Sequence, residues 1–230
     1  MPGKKTIFLS SISLFLGFIY FSYLVAKEKF TQLDFDITVK FQDNLSSRFD
    51  YPFSALSVLG SAEITTLIWI IIFLFILLIK RYWLTAATLF SFFASVIIEV
   101  YGKVAVFHPG PPFFMFKGVI DYNFPSHYVH TEYSYPSGHM TRTAFLIAFI
   151  FTYLYLKGSG IFRIFVQISL IGLLVAMFVS RIYLGEHWVS DVIGGLLLGG
   201  SLGLFTTLTL PLKPKEVIRD EILSEAKLGG

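Results

Sequence analysis

Two short polar segments interrupt a hydrophobic chain, and their residue types suit acid–base and nucleophilic chemistry. The second segment, residues 180–191, contains Arg181, His187 and Asp191. The spacing of four residues between His187 and Asp191 places two side chains on one face of a helix. A carboxylate that accepts the Nδ1–H of a histidine fixes its tautomer and leaves Nε2 free to attack. Alone, such a pair is also compatible with an ordinary surface contact.

The first segment, residues 136–139, reads Pro-Ser-Gly-His directly before an apolar run. Ser137 is a typical N-cap residue, so this pattern predicts the start of a helix. The free N–H groups of a helix start also bind anions. His139, in the first turn, would then face a bound anion. The alternative for a bare Ser-Gly is a capping turn that binds nothing.

A third candidate, Lys103, follows Glu99 by four residues. This spacing fits a helical ion pair, but a lysine also serves as a point charge for phosphate. Two cations, a helix start, a carboxylate-supported histidine and a second histidine together suit phosphoryl transfer. That reaction depends mainly on positioning and on stabilising charge over the equatorial oxygens.

The elements that must position these residues are hydrophobic segments long enough to cross a bilayer. A membrane helix needs about 20 predominantly apolar residues. Six segments approach that length: about 6–26, 61–80, 84–107, 140–156, 161–180 and 189–211. Because backbone in lipid must satisfy its own hydrogen bonds, they predict an all-α bundle of six transmembrane helices. Residues 1–230 form one membrane-embedded domain, in which 213–230 is a polar cytoplasmic tail.

The distribution of Lys and Arg predicts that both termini are cytoplasmic, which places both polar segments at the outer face. In the first outer loop, apolar residues fit both an alternating strand and a helical stripe (Leu33, Ile37, Phe41 and Leu45). A lone strand would leave its edge unpaired, so we expect an interfacial amphipathic helix. The second outer loop, about 108–138, is rich in Pro and aromatic residues. It suits either anchoring at the interface or a collar where lipid enters.

Composition excludes several classes of function. Hydrophobic residues make up 55% of the chain and charged residues 14%, against about 25% charged in soluble domains. The net charge of +3 comes without a basic run, so no nucleic-acid partner is predicted. The absence of cysteine excludes a thiolate nucleophile. His127 and His130 lack a third ligand of suitable spacing, so neither metal nor cofactor is predicted. The expected partners are the bilayer and a lipid substrate, and no obligate protein partner is evident.

Glycines in the last predicted helix form a stripe of small residues that favours close helix packing. They are Gly194, Gly195, Gly199, Gly200 and Gly203. This stripe predicts packing and carries no chemistry.

The two polar segments closely resemble two of the three motifs of the type-2 phosphatidic acid phosphatase family. The matching residues are Ser180-Arg181, five residues, His187, three residues, Asp191, preceded by Pro136-Ser137-Gly138-His139. The six-span layout is similar to that of the family's integral-membrane lipid phosphatases. The resemblance implies a compact bundle with an outward-facing site that works without a metal.

The resemblance also implies roles for individual residues. His187 would be the nucleophile that forms a phosphohistidine, with Asp191 orienting it. His139 would protonate the leaving lipid alkoxide and later activate water. The phosphate oxygens would be held by Lys103, Ser137, Gly138 and Arg181.

One departure concerns the family's first motif, which is Lys, six residues, Arg-Pro. Here Lys103 is followed after six residues by Gly110-Pro111, so the arginine is absent. His108 is one possible substitute, as a conditional cation. Arg142 is the other, although it also fits a helix-end residue that extends toward the interface.

The resemblance implies a lipid phosphatase of the bacterial cell membrane. Its substrate would be phosphatidylglycerophosphate, in phosphatidylglycerol biosynthesis, and/or undecaprenyl pyrophosphate. The alternatives are a non-catalytic or transport protein that binds lipid phosphates, and a lipid phosphotransferase. The set of His139, His187 and Asp191 favours catalysis, because binding alone would not need it.

Overall fold

The computed structural model describes residues 3–121, 124–125, 131, 133–157 and 160–211. Within these ranges the chain forms nine α-helices and no strand. They are α1 Lys4–Ala26, α2 Thr31–Asn44, α3 Asp50–Leu59, α4 Ala62–Leu74, α5 Trp83–Leu89, α6 Ser91–Ala105, α7 Gly138–Lys157, α8 Gly160–Tyr183 and α9 Val189–Thr207. A π-helical turn, Phe75–Ile79, extends α4, and 3-10 turns lie at Ser47–Phe49 and Phe113–Met115. The all-α prediction is confirmed.

Six helical stretches are long and apolar enough to cross a membrane: α1, α4 with its π-helical turn, α5 joined to α6, α7, α8 and α9. Their bounds lie within a few residues of the six predicted segments. The predicted tail, residues 213–230, lies outside the described residues. That the chain is one domain stays a prediction.

Helices α7 and α9 form the centre of the bundle, and the glycine stripe of α9 explains their close approach. A Cβ atom on Gly195 would lie 2.6 Å from the carbonyl oxygen of Ser137, and one on Gly203 would lie 2.5 Å from that of Phe145. Side chains larger than hydrogen would therefore push the two helices apart. The stripe packs as the sequence predicts.

An aromatic cluster joins α4, α5, α6 and α7. Trp69, Phe92 and Phe145 are almost completely buried in it. The ring of Phe92 meets that of Phe145 edge to face at 5.4 Å, and the indole Nε1 of Trp69 donates to the carbonyl oxygen of Leu89 at 3.0 Å. This packing fixes α6 against α7, the two helices whose ends carry Lys103 and His139.

The segment predicted to be an interfacial helix is helical, as α2. Its Ile37 and Phe41 pack against a core cluster formed by α7, α8 and α9. Its polar residues Asp34 and Thr38 are buried as well, at 1% and 0% exposure. Helix α2 is therefore packed against the bundle on a face that contains a carboxylate, which its apolar stripe alone does not predict.

Candidate active site

Helices α6 and α8 end, and α7 and α9 begin, at the same end of the bundle, and this arrangement gathers the polar segments. The backbone N–H of Ser137 donates to the carbonyl oxygen of Asp191 at 3.0 Å, which ties the start of α7 to the first turn of α9. Helix α7 begins at Gly138, directly after Ser137, so the predicted helix start is confirmed. The Ser137 hydroxyl makes no hydrogen bond within the described residues, so the predicted side-chain cap is not formed.

His187 and Asp191 are in contact across the start of α9. His187 lies two residues before the helix begins, and Asp191 is its third residue. The Nδ1 atom of His187 is 3.3 Å from Oδ2 of Asp191, which also accepts the backbone N–H of Trp188 at 3.0 Å. Their spacing predicts that both lie on one face of a helix. In the structure the helix begins between them, so they are joined across its N-terminal cap. The cap fixes the carboxylate, and Nδ1 is the nitrogen that faces it.

Ser134 is a third member of this group. Its Oγ lies 3.0 Å from Nδ1 of His187 and donates to Oδ2 of Asp191 at 2.5 Å. The hydroxyl is therefore closer to the imidazole than the carboxylate is. The sequence analysis did not identify Ser134, because nothing in its spacing from His187 marks it.

A cavity of about 780 Å³ opens beside His187. Its polar wall contains Glu99, Lys103, Gly138, His139, Arg142, Glu186 and His187. Pro111, Phe113 and Phe116 of the second loop line it too, which is compatible with a collar at the cavity. Phe113 and Phe114 are also 90% and 79% exposed, which is compatible with the alternative of anchoring in the interface.

Glu99 connects two of the cations in the cavity wall. Its carboxylate is 2.9 Å from Nη1 of Arg142 and 3.7 Å from Nζ of Lys103. Lys103 is therefore paired along its helix, as its spacing predicts, and it also lines the cavity. Its contact with a phosphate stays a prediction. A Cβ atom on Gly138 would collide with the Glu99 carboxylate, so only glycine leaves room for this contact.

Arg181 is fully buried, and its hydrogen-bond partners Ser57 and Glu186, rather than its own side chain, line the cavity. Its Nη1 donates to Oγ of Ser57 at 2.7 Å and to Oε2 of Glu186 at 2.5 Å. Glu186 lines the cavity, whereas Arg181 does not. A phosphate bound by this arginine would therefore have to displace the carboxylate.

Several buried polar atoms of the site have no hydrogen-bond partner within the part of the chain that the structure describes. They include Ser137 Oγ, His139 Nε2, Arg142 Nε and Asp191 Oδ1. Buried polar groups in native proteins are nearly always hydrogen-bonded. Arg142 lines the cavity, so its free N–H suits a ligand with oxygen acceptors, whereas Ser137 is fully buried and does not line the cavity.

His108 lies elsewhere. It does not line the cavity, and its Nε2 is 3.0 Å from Oγ of Ser190 and 3.5 Å from Oδ1 of Asp191. Of the two candidates for replacing the missing arginine, only Arg142 faces the cavity. The position of His108 therefore does not support the prediction that it replaces the arginine. Its contacts with Ser190 and Asp191 lie on the side of Asp191 away from the cavity.

Asp34 of α2 completes this region. Its Oδ1 and Oδ2 accept hydrogen bonds from the backbone N–H and the hydroxyl of Ser190, at 2.8 Å and 2.7 Å. Burial raises the pKa of the Asp34 carboxyl, and the two bonds from Ser190 oppose this rise. Helix α2 therefore contributes a carboxylate next to the site, which the sequence analysis did not identify.

Within the described ranges, no three His, Cys, Asp or Glu side chains are grouped as a metal site would require. His127 and His130 lie outside those ranges. The expectation of chemistry without a metal or other cofactor stays a prediction.

The model of the PAP2 superfamily matches residues 83–214, more than half of the chain. The chain belongs to the PAP2 superfamily. The matched region includes Lys103, both polar segments and helices α5 to α9. The resemblance found in the sequence is thereby confirmed.

A solved structure has the same fold: the first transmembrane PAP2 type phosphatidylglycerolphosphate phosphatase from Bacillus subtilis. Its TM-score is 0.64 at 20% sequence identity, over 86% of this chain and 94% of that one. No curated protein matches the chain in sequence. The family and the fold together support a multi-pass membrane phosphatase.

Proposed function

We propose that this chain is a membrane lipid phosphatase that works through a phosphohistidine at His187, without a metal ion. The observation that carries this proposal is the bonding of His187. Its Nδ1 faces Ser134 and Asp191, while its ring lines a cavity that also contains Lys103 and Arg142. The proposed substrates are phosphatidylglycerophosphate and/or undecaprenyl pyrophosphate.

In the first step, Nε2 of His187 attacks the terminal phosphorus of the lipid phosphate. The bond that breaks joins this phosphorus to the lipid oxygen or, in a pyrophosphate, to the bridging oxygen. His139, in its protonated form, gives its proton to the leaving alkoxide, or to the leaving phosphate of a pyrophosphate. His187 keeps its Nδ1–H, so the phosphorylated imidazole is a cation. Asp191 stabilises that cation, and this stabilisation is absent before attack, so it lowers the barrier rather than strengthening substrate binding.

In the second step, neutral His139 takes a proton from water as the water oxygen attacks phosphorus. The P–N bond breaks, inorganic phosphate forms, and His139 is protonated again. Charge on the equatorial oxygens is stabilised by Lys103 and Arg142 and by N–H groups at the start of α7. Arg142 thereby supplies the charge that the absent first-motif arginine would have given.

The test is release of phosphate by the purified protein from both lipids, with EDTA present. We expect turnover of at least one lipid that EDTA does not change, and its loss in His187→Ala. Ser95→Ala is the control, because the Ser95 hydroxyl is buried and bonds only to its own helix at 2.6 Å. His187→Ala with parental turnover would refute the nucleophile and favour a lipid-binding or transport role. A metal requirement would refute the mechanism.

We place the site at the outer face of a bacterial cell membrane, with both termini cytoplasmic, on the distribution of Lys and Arg. The absence of cysteine makes single-cysteine labelling straightforward. With a membrane-impermeant maleimide, Phe114→Cys is expected to react in intact cells, and Lys80→Cys only after permeabilisation. The reverse pattern would place the site inside.

A further inference from the structure

A buried polar cluster lies behind Asp191, and the proposed mechanism does not use it. The cluster consists of His108, Ser190 and Asp34, which are 6%, 1% and 1% exposed, and none of them lines the cavity. The Nε2 atom of His108 lies between two carboxylates, 3.5 Å from Oδ1 of Asp191 and 3.6 Å from Oδ2 of Asp34.

The direction of the hydrogen bonds in this cluster fixes where the proton of His108 lies. Asp34 accepts both the N–H and the hydroxyl hydrogen of Ser190. A serine hydroxyl has one hydrogen to donate, so Ser190 Oγ can only accept at its 3.0 Å contact with His108. Nε2 of His108 therefore carries the hydrogen. Asp34, acting through Ser190, holds an N–H next to Asp191.

This N–H matters because two buried carboxylates are close to each other. Burial and, to a smaller extent, repulsion by Asp191 raise the pKa of the Asp34 carboxyl, whereas Ser190 and His108 lower it. A polarised N–H between them offsets that repulsion. The ring of Tyr135 also packs against His108, edge to face at 6.4 Å between ring centroids, and its hydroxyl bonds to Ser22. Oδ1 of Asp191 has no hydrogen-bond partner, so His108 is its polar neighbour in the described structure.

We propose that His108 is a positioning residue, whose N–H beside Oδ1 of Asp191 keeps that carboxylate directed at His187, and that Asp34 fixes the tautomer of His108 through Ser190. The inference rests on the proposed function. When the P–N bond forms at His187, positive charge develops on its ring, and only an ionised Asp191 stabilises that charge. No proton moves along the cluster. It acts through the fixed direction of its hydrogen bonds, which keeps the N–H of His108 next to Asp191.

The first test compares His108→Leu with His108→Gln. The leucine removes the N–H, whereas the glutamine amide restores a donor near the position of Nε2. We expect kcat to fall about tenfold in the leucine variant, the loss typical of one buried hydrogen bond, here the bond to Ser190, and KM to stay unchanged. The glutamine variant should recover most of kcat. A purely structural role predicts no such recovery.

The second test is Asp34→Asn, which keeps the size of the side chain. The asparagine oxygen must keep accepting the Ser190 N–H, so its amide donates to the Ser190 hydroxyl. That hydroxyl then donates to His108, whose Nε2 must lose its hydrogen and present a lone pair to Asp191. We expect kcat to fall about tenfold, and the double variant with His108→Leu to lose no more than His108→Leu alone.

Asp50→Asn is the matched control, because Asp50 also accepts a hydroxyl, from Tyr183 at 2.5 Å, without touching Asp191. If the parent releases no phosphate from any lipid, the proposed function fails. If the parent is active but Asp34→Asn and His108→Leu keep parental kcat, or change only KM, the inference is overturned and the phosphatase stands. Should His108→Leu not fold, Asp34→Asn decides.

Discussion

Replacing Ser134 by alanine tests whether the serine hydroxyl is part of the link between His187 and Asp191. The change removes the 3.0 Å contact to Nδ1 of His187 and the 2.5 Å bond to Oδ2 of Asp191. Two features remain: the direct contact of 3.3 Å between the imidazole and the carboxylate, and the bond from the Trp188 N–H to Asp191. The variant therefore weakens the positioning of His187 without removing it.

The size of the effect follows from these contacts. A hydrogen bond to a charged group contributes about 1.5–3 kcal/mol, and the remaining direct contact to Asp191 favours the lower end. A loss of about 1.5 kcal/mol that is confined to the transition state lowers kcat roughly tenfold. KM should stay close to the parental value, because Ser134 does not line the cavity.

The assay is initial-rate phosphate release from a lipid phosphate in mixed micelles, over a range of substrate concentrations, with melting temperature measured in parallel. Ser95→Ala is the control for loss of a buried hydroxyl, and we expect its kcat to be parental. A kcat for Ser134→Ala within about twofold of the parent would show that Asp191 alone fixes His187. A change in KM alone would refute the reasoning as well.

Three further predictions use the same assay. Asp191→Asn should lower kcat about 10⁴-fold with KM largely kept, as in serine-protease triads, because the amide cannot stabilise the imidazolium; unchanged turnover would exclude the orienting role. Glu186→Gln should lower the inhibition constant for inorganic phosphate, because a neutral amide competes with phosphate for Arg181 less than the carboxylate does. A higher inhibition constant would contradict this competition. Gly138→Ala should lower kcat/KM about 10²-fold by displacing the Glu99 carboxylate, whereas Gly172→Ala, with nothing within 4 Å, should not.

The parts of this structure that were predictable from the sequence are those that depend on local composition and spacing. A span of lipid requires a continuous apolar helix, so hydropathy alone locates the six spans. Glycines one turn apart predict close packing of α9. The contact between His187 and Asp191 joins residues four apart, and even here the geometry differs, because a helix start lies between them.

The parts that were not predictable join residues far apart in the sequence. Glu99 meets Arg142 across 43 positions, Ser57 meets Arg181 across 124, and Asp34 meets Ser190 across 156. Each partner is an ordinary polar residue in its local segment. Asp34 illustrates the difficulty, since an acid in an amphipathic helix is expected on the solvated face and only the packing of α2 buries it.

A common physical reason connects these distant contacts. Charges within a membrane-spanning bundle are costly unless they are paired, and the site has cations where a phosphate is expected. In this structure Glu99 pairs with Lys103 and Arg142, and Glu186 pairs with Arg181. The carboxylates keep the cations stable before a substrate arrives, and a phosphate dianion must then compete with them. On the proposed function, a chain that lacks the first-motif arginine needs another paired cation at the cavity wall, and Arg142 is the one that would take its place.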